Sequence, residues 1–447
     1  MTARRDHPLL FGAIADDLTG GSELAAMMVA RGMPTSLTTS VEAAIDPGSL
    51  AHVIALKTRV APVREATALV VEGARKLLAA GCKHIFFKYC ATFDSTPTGN
   101  IGPCAEALAD LVGAKLVLFT PALCETQRTV FQGYMFGGSQ ILAESPKRFD
   151  PLTPMTDSNL VRVLAAQSKG AVGLVAHPVV DQGAGAIRAH CDRLAAEGVR
   201  LAITDTIYER DLAAIAEAAA DMPLMTGNAS VAAHLPTAWR RTGRLKTAQA
   251  SYLPAVAGPA AILAGSVAAR TAEQLEHFGR GNEVLYVDLS RVFAGEDVQT
   301  ECLSAAARAI ADERTIAIAT TAPQSEVERL QSTFGRDAVA HRAEAFLCDL
   351  ANRLIFEHGV RRLIVAGGET AGAIVPGLPI DRFIVGPYQG LGTGRLVAEM
   401  PFPVALMLKS GKLGGLDVFS TVLEDMLRPF QAQPYLDRWP PQPTRAN

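Results

Sequence analysis

The 447-residue chain is 49% apolar and only 19% charged, the balance of a compact α/β enzyme rather than of a disordered segment. Its 42 basic and 45 acidic residues leave a net charge of −3 mixed along the chain, so there is no electrostatic footprint for nucleic acid or an anionic membrane, and small-molecule chemistry is expected. Seven cysteines without a Cys-x-x-Cys pair argue against a disulfide framework or a structural zinc site, and no apolar run reaches about 18 residues, so a cytoplasmic protein is expected.

At roughly 100–200 residues per domain the length predicts two domains. Residues 9–15 read as a buried strand that runs into Asp16 and Asp17, followed by a small-residue turn, Thr19-Gly20-Gly21, and a helix beginning near Ser22. Both carboxylates then stand at a strand's carboxyl end, where open α/β sheets bind ligands, and the N–H groups of the turn are expected to be free for an anion. Asp17 equally suits a helix N-cap, a purely structural role. Short apolar runs then alternate with helical patterns at 52–56, 63–80, 84–89, 105–112 and 116–120, with Gly81 and Gly113 closing helices. The rhythm breaks over 121–156, where aromatic and glycine punctuation reads as a hairpin excursion of the kind that carries function. Alternation resumes at 172–176, 182–197, 201–204, 209–221 and 223–226.

The first domain is placed at 1–238, a linker at 239–259, a second domain at 260–430 and an irregular, proline-rich tail at 431–447. Candidate strands of the second domain are 261–264, 284–288, 316–319, 363–366, 383–385 and 404–408. The fold class is α/β, two domains with mostly parallel sheets.

Three small-residue turns follow apolar strands in the second domain: Gly265-Ser266, Gly367-Gly368-Glu369-Thr370, and 409–415 with Ser410 and Gly411. Glycine admits a ligand close to the backbone, and the hydroxyls add donors, so a nucleotide polyphosphate would satisfy all three. No Walker motif occurs, and residues 390–395 break the dinucleotide spacing, which ranks a dehydrogenase low. In the first domain Lys57-Thr58-Arg59 and the segment Lys88 to Thr96 put cations at strand exits, suited to a substrate carboxylate, with Arg59 able to make a bidentate contact. Arg128 in the excursion is a further candidate cation. His177 and His190 lack a third ligand, so no metal is assigned to protein side chains.

Three separated motifs, Ile14-Ala-Asp-Asp-Leu-Thr-Gly, Phe87-Lys-Tyr-Cys-Ala-Thr-Phe-Asp-Ser-Thr with Gly99-Asn-Ile-Gly, and Gly367-Gly-Glu-Thr-Ala-Gly, together resemble the four-carbon acid sugar kinase family over nearly the whole chain. The resemblance implies an N-terminal acid-sugar-binding domain, a C-terminal nucleotide-binding domain, and magnesium-dependent transfer of the ATP γ-phosphoryl group to the terminal hydroxyl of a four-carbon acid. The segments 88–96 and 151–162 look most like the branch acting on 3-oxo-tetronate. Carried onto this sequence, ATP would contact Ser266, Gly367, Gly368, Glu369, Thr370 and Gly411. The acid would meet Asp16, Arg59, Lys88 and Arg128, with Asp17 as the group that orients or deprotonates the hydroxyl and Asp94 as the rival base. Ser139, Lys412 and Leu416 stand where the family carries Asp, Asn and Glu. Three alternatives follow: a kinase for threonate or erythronate, a nucleotide- or sugar-acid-binding protein without turnover, and a lyase using Lys88 as a Schiff-base amine. The sequence leaves a homo-oligomer open.

Overall fold

A computed structural model describes residues 8–150, 152–246, 248–320, 324–380, 382–390, 394–436 and 439. Residues up to Gln249, rejoined by the segment from Gln433, form one compact unit, and Ala250–Ala432 form a second.

The first unit is built on β1 (Phe11–Ala15), β2 (Thr35–Thr38), β3 (Ala51–Ala55), β4 (Ile85–Lys88), β5 (Val117–Thr120), β9 (Ala171–Val175), β10 (Val199–Thr204) and β11 (Leu224–Gly227), with a hairpin set β6 (Arg128–Phe131), β7 (Tyr134–Gly137) and β8 (Gln140–Ile141) between β5 and β9. The eight main strands lie in the order β2-β3-β1-β4-β11-β5-β10-β9, and every pairing between them is parallel. Parallel strands covered by helices on both faces must be apolar throughout, and β1, β3, β4, β5 and β11 are buried at every position. The chain leaves β1 toward β3 and β2 on one side and returns to β4 on the other, so the sheet reverses direction beside β1. A reversal of this kind is where open α/β sheets place their ligand site, here at the carboxyl ends of β1, β3 and β4.

Helix α1 (Leu18–Ala30) begins four residues before the expected Ser22. Two glycines in the first turn disfavour a helix by propensity, at about 1 kcal/mol each relative to Ala, but packing overrides this. A Cβ on Gly21 would stand 2.6 Å from the Ala55 Cβ, so only glycine lets α1 lie this close to β3. The expected free N–H groups are corrected accordingly: the Gly20 N–H donates to Asp17 Oδ1 at 3.1 Å, and the Gly21 N–H to the Asp17 carbonyl. Helix α2 (Val63–Ala79) buries Ala66, Val70, Gly73, Ala74 and Leu77, a single helical stripe, and α3 (Ile101–Val112) ends at Gly113 with φ 69°, the left-handed cap that glycine adopts freely. The excursion is the antiparallel set β6-β7-β8, as its punctuation suggests.

The second unit has β12 (Ser251–Leu253), β13 (Ala260–Ala264), β14 (Glu283–Tyr286), β15 (Ile316–Ala319), β16 (Arg362–Ala366), β17 (Arg382–Val385), β18 (Arg395–Glu399), β19 (Pro403–Lys409) and β20 (Phe430–Ala432). Seven of these form a sheet ordered β14-β15-β13-β16-β19-β18-β17, parallel from β14 to β19 and antiparallel at β18 and β17. β18 was not expected, because it follows directly on the glycine-broken 390–395 segment, of which residues 391–393 lie outside the described set. The 239–259 segment is not devoid of structure: the helix Leu235–Arg241 enters it, and β12 pairs antiparallel with β20 at the start of the expected tail. Pro151 of the 151–162 motif, and residues 437, 438 and 440–447 of the tail, lie outside the described residues.

Candidate active site

Because β1, β3 and β4 are neighbours in parallel register, Asp16 and Asp17, Arg59, and Lys88 emerge at the same end of the sheet. The Asp16 N–H donates to the Lys88 carbonyl at 3.0 Å, and the Thr58 and Arg59 N–H groups both donate to the Asp16 carbonyl, which stitches the three strand exits together. Arg59 meets Asp16 bidentately through its Nε/NH2 edge, Nε to Oδ2 at 2.9 Å and NH2 to Oδ1 at 2.8 Å, and the same NH2 lies 2.7 Å from Asp17 Oδ1. Lys88 Nζ, on a side chain only 3% exposed, stands 3.5 Å from Asp17 Oδ1. Arg59 is thus engaged by Asp16, which the sequence did not foresee; its NH1 edge makes no hydrogen bond to a described residue.

The two carboxylates differ in environment. Burial, the largest influence, pushes the Asp16 carboxyl up against the pull of Arg59. Asp17 also suffers burial, but Arg59, Lys88 and the Gly20 N–H together bring it below the usual carboxylate range. Arg59, opposed by its own burial, is held firmly protonated by Asp16 and Asp17. Asp17 is therefore both the N-cap of α1 and the charged partner of the buried Lys88 and the half-buried Arg59.

Around this cluster lie residues to which the sequence reading gave no role. Glu23, half-buried on α1, has its carboxyl pushed up by burial and feels the charges of Lys88, Asp17, Glu125 and Arg128, which places Arg128 at the edge of the same field. Its signal was a single acid in a helix that carries no other charged residue. Asp94 accepts from Thr92 Oγ1 at 2.5 Å and pairs with Lys147 Nζ at 2.8 Å; Lys147 also reaches Asp150 at 2.6 Å. Burial works against the Lys147 charge, but Asp94 and Asp150 outweigh it and raise its pKa. The Cys90 thiol, pushed up to about 11 by burial and then by Asp94, feels both Arg59 and Asp16, so it joins the Asp94 group to the Asp16 group. Nothing in the sequence tied Lys147 to Asp94, because the pairing crosses from the excursion to the β4 exit.

In the second unit β13, β16 and β19 are adjacent, and the three glycine turns leave their carboxyl ends side by side. The turns touch. A Cβ on Gly265 would stand 2.3 Å from Thr370 Oγ1, one on Gly367 2.7 Å from the same atom, and one on Gly411 2.1 Å from Ser266 Oγ. Gly367 has φ 130°, a conformation that favours glycine, and its N–H donates to the Lys409 carbonyl. Gly368 and Glu369 open the short helix Gly368–Ile374, in which Thr370 is buried and Glu369 exposed. Ser139, Lys412 and Leu416 are all exposed on loops.

A crevice of acids and cations on one α/β unit, and three interlocking glycine turns on another, define a protein that pairs a polar, anionic small molecule with a phosphate-bearing one. Residues 11–235 match the sugar-binding N-terminal domain and residues 261–419 the nucleotide-binding C-terminal domain. The chain is 42% identical over 423 residues to the 3-oxo-tetronate kinase of Methylobacterium radiotolerans, covering 94% of this chain and 99% of the relative, and 40% identical over 427 residues to that of Pseudomonas fluorescens, covering 95% and 98%. Among solved structures, a Salmonella typhimurium LT2 protein provisionally described as a tRNA synthase superposes with a TM-score of 0.81 at 36% identity, covering 93% of this chain and 99% of that one. A Haemophilus influenzae protein of the DUF1537 group gives a TM-score of 0.72 at 34% identity, covering 93% and 100%. The chain belongs to the four-carbon acid sugar kinase family.

Proposed function

We propose that the chain is an ATP-dependent kinase that phosphorylates the terminal hydroxyl of 3-oxo-tetronate. The observation that carries this reading is the interlocking of the three glycine turns at Ser266, Thr370 and Gly411, a cradle in which a single added methyl group would collide. The nucleotide-binding match of that unit and the full-length likeness to 3-oxo-tetronate kinases support the choice of reaction and of acid.

On this reading the substrate carboxylate is met by the open NH1 edge of Arg59 and by Lys88, with Arg128 adding to the field. Asp16 and Asp17 accept from its hydroxyls. The terminal hydroxyl oxygen bonds to the γ-phosphorus, the bond from that phosphorus to the departing ADP oxygen breaks, and the hydroxyl proton passes to Asp17. A carboxylate held below its usual range is a weak base, which suits a loose transfer in which positioning and charge outweigh early proton removal. Asp94, already paired with Lys147, is the rival acceptor. Ser266, Gly367, Gly368, Glu369, Thr370 and Gly411 contact the nucleotide.

Among the described residues no group of three or more His, Cys, Asp or Glu side chains is placed to hold a metal ion. On this reading magnesium arrives on the triphosphate, where it offsets phosphate charge. The seven free thiols suit a reducing cytoplasm, and a net charge of −3 from 42 basic and 45 acidic residues favours a small-molecule substrate over nucleic acid.

A coupled ADP-release assay on the whole chain, with 3-oxo-tetronate, threonate and erythronate in parallel, tests the reading. The highest kcat/KM is expected for 3-oxo-tetronate, with phosphate on the terminal oxygen by mass spectrometry. Preference for a reduced acid overturns the substrate assignment, and ATP binding without product from any of the three overturns the kinase.

A further inference from the structure

The loop after β19 is gripped from behind by one helix, Ala269–Gly279, and by Lys409 at its root. Gln274 Nε2 donates to the carbonyls of Leu413, Gly414 and Gly415 at 3.1, 3.1 and 2.8 Å. Thr271 Oγ1 donates to the Gly411 carbonyl at 2.9 Å, and Arg270 Nε to the Gly414 carbonyl at 3.0 Å. Lys409 Nζ donates to the Ser410 carbonyl at 2.8 Å and reaches the Gly411 carbonyl at 3.4 Å. Thr271 and Gln274 are three apart and Arg270 and Gln274 four apart, so one helical face delivers all three.

In a trans peptide the C=O and the following N–H point in opposite directions. With the carbonyls of Gly411, Leu413, Gly414 and Gly415 turned to the helix, the N–H groups of Lys412, Gly414, Gly415 and Leu416 turn away from it. They lie on the face of the loop opposite the helix and fan outward, so that different N–H groups can meet different oxygens of a phosphate chain. Gly414, at φ 93°, adopts a backbone conformation that favours glycine. Gln274 is fully buried, and its Oε1 finds no hydrogen-bond partner among the described residues, so its amide is committed to donating. A buried acceptor left orphaned is costly and calls for a reason.

We infer that Gln274, with Thr271 and Arg270, is a positioning residue for the triphosphate: it touches no ligand but fixes the 411–416 loop with its N–H groups facing outward. This rests on the nucleotide-binding reading of the second unit and names the part of the nucleotide that the loop takes.

The test compares wild type with Gln274→Leu, which keeps the bulk and removes the donors, and with Thr271→Val as a milder second variant should the first fail to fold. ATP KM and the inhibition constant of inorganic tripolyphosphate against ATP are measured alongside the KM for the acid and the melting temperature. The expected result is a rise of at least tenfold in both phosphate-dependent constants for Gln274→Leu, a smaller rise for Thr271→Val, and an unchanged KM for the acid. A change below twofold in both variants, or an equal loss for ATP and acid together with a lowered melting temperature, overturns the inference while leaving the kinase in place. Wild-type protein that neither binds ATP nor responds to tripolyphosphate overturns the nucleotide reading itself.

Discussion

Arg59 and Asp16 are locked edge to edge by two hydrogen bonds of 2.8 and 2.9 Å, and the guanidinium nitrogen that closes this pair also lies 2.7 Å from Asp17. One cation therefore holds two adjacent carboxylates whose environments diverge: Asp16 is driven up by burial, while Asp17 is brought down by Arg59, Lys88 and a backbone N–H. Groups with opposed shifts in one crevice are where a division of roles between acids is expected.

Asp17 carries a cap and a charge, and the two can be separated. Asn caps a helix about as well as Asp, whereas Ala loses roughly 1 kcal/mol or more. Asp17→Asn keeps the α1 cap and removes the charge that faces Lys88. We expect a fall in kcat of at least a hundredfold with little change in ATP KM, and a loss of about 3 kcal/mol in chemical denaturation, because a buried cation is left without its partner. Adding Lys88→Met restores most of the stability and none of the activity. If Asp17→Asn turns over normally while Asp94→Asn does not, the roles are reversed.

Gly20 gives an unusual reading of helix propensity. A Cβ there would stand 1.8 Å from Lys88 Nζ and 2.5 Å from Asp17 Oδ1. Gly20→Ala strengthens the helix by up to about 1 kcal/mol by propensity alone, yet it takes the place of the ammonium. The expected outcome is a raised KM for the acid, at least tenfold, without a gain in melting temperature. Wild-type kinetics in this variant would show that the position of Lys88 is immaterial.

The fold was largely legible because parallel strands buried on both faces announce themselves as short apolar runs between glycine-capped helices. The expected runs at 52–56, 316–319 and 363–366 sit on β3, β15 and β16 with ends displaced by at most one residue. What escaped reading was structure set by neighbours. β2, β12 and β20 are too short or too polar for a period, and α1 starts at the Asp17 cap, ahead of two glycines that stand where β3 and Lys88 leave no room for side chains. Asp16, Asp17, Arg59 and Lys88 could be nominated from their strand exits, and the structure brings them together. That Arg59 would turn to Asp16, and Lys147 to Asp94, depends on register and loop path, which spacing along the chain does not encode.

The contact between Gly411 and Ser266 yields a paired prediction. Gly411→Ala places a methyl 2.1 Å from Ser266 Oγ and 3.1 Å from the Ala268 Cβ, forcing two of the turns apart. ATP KM should rise at least tenfold while the KM for the acid holds. Ser266→Gly in the same chain makes room again, so the double variant should bind ATP more tightly than Gly411→Ala alone, a coupling that a double-mutant cycle reads directly. Additive effects would mean that the two turns act independently.

Lys409 predicts a pH dependence of opposite sign for stability and for nucleotide binding. It is fully buried, and burial, aided by Arg270, lowers its pKa to about 8. In the unfolded chain a lysine titrates near 10.4. Between these values the unfolded state binds more protons, so this group makes stability rise with pH from about 8 to about 10.4, by on the order of 3 kcal/mol in all. Below pH 8 it is protonated in both states and contributes no slope. The protonated form has three hydrogens for the Ser410 and Gly411 carbonyls and Thr271, and the neutral amine has two. Grip on the 410–415 loop should therefore slacken, and ATP affinity fall, as pH rises through 8. Calorimetric titration of ATP from pH 6.5 to 9.5, with urea melts over pH 7.5 to 10.5, should show both trends in wild type and neither in Lys409→Met. A Lys409→Met profile that parallels wild type would assign the titration to another group.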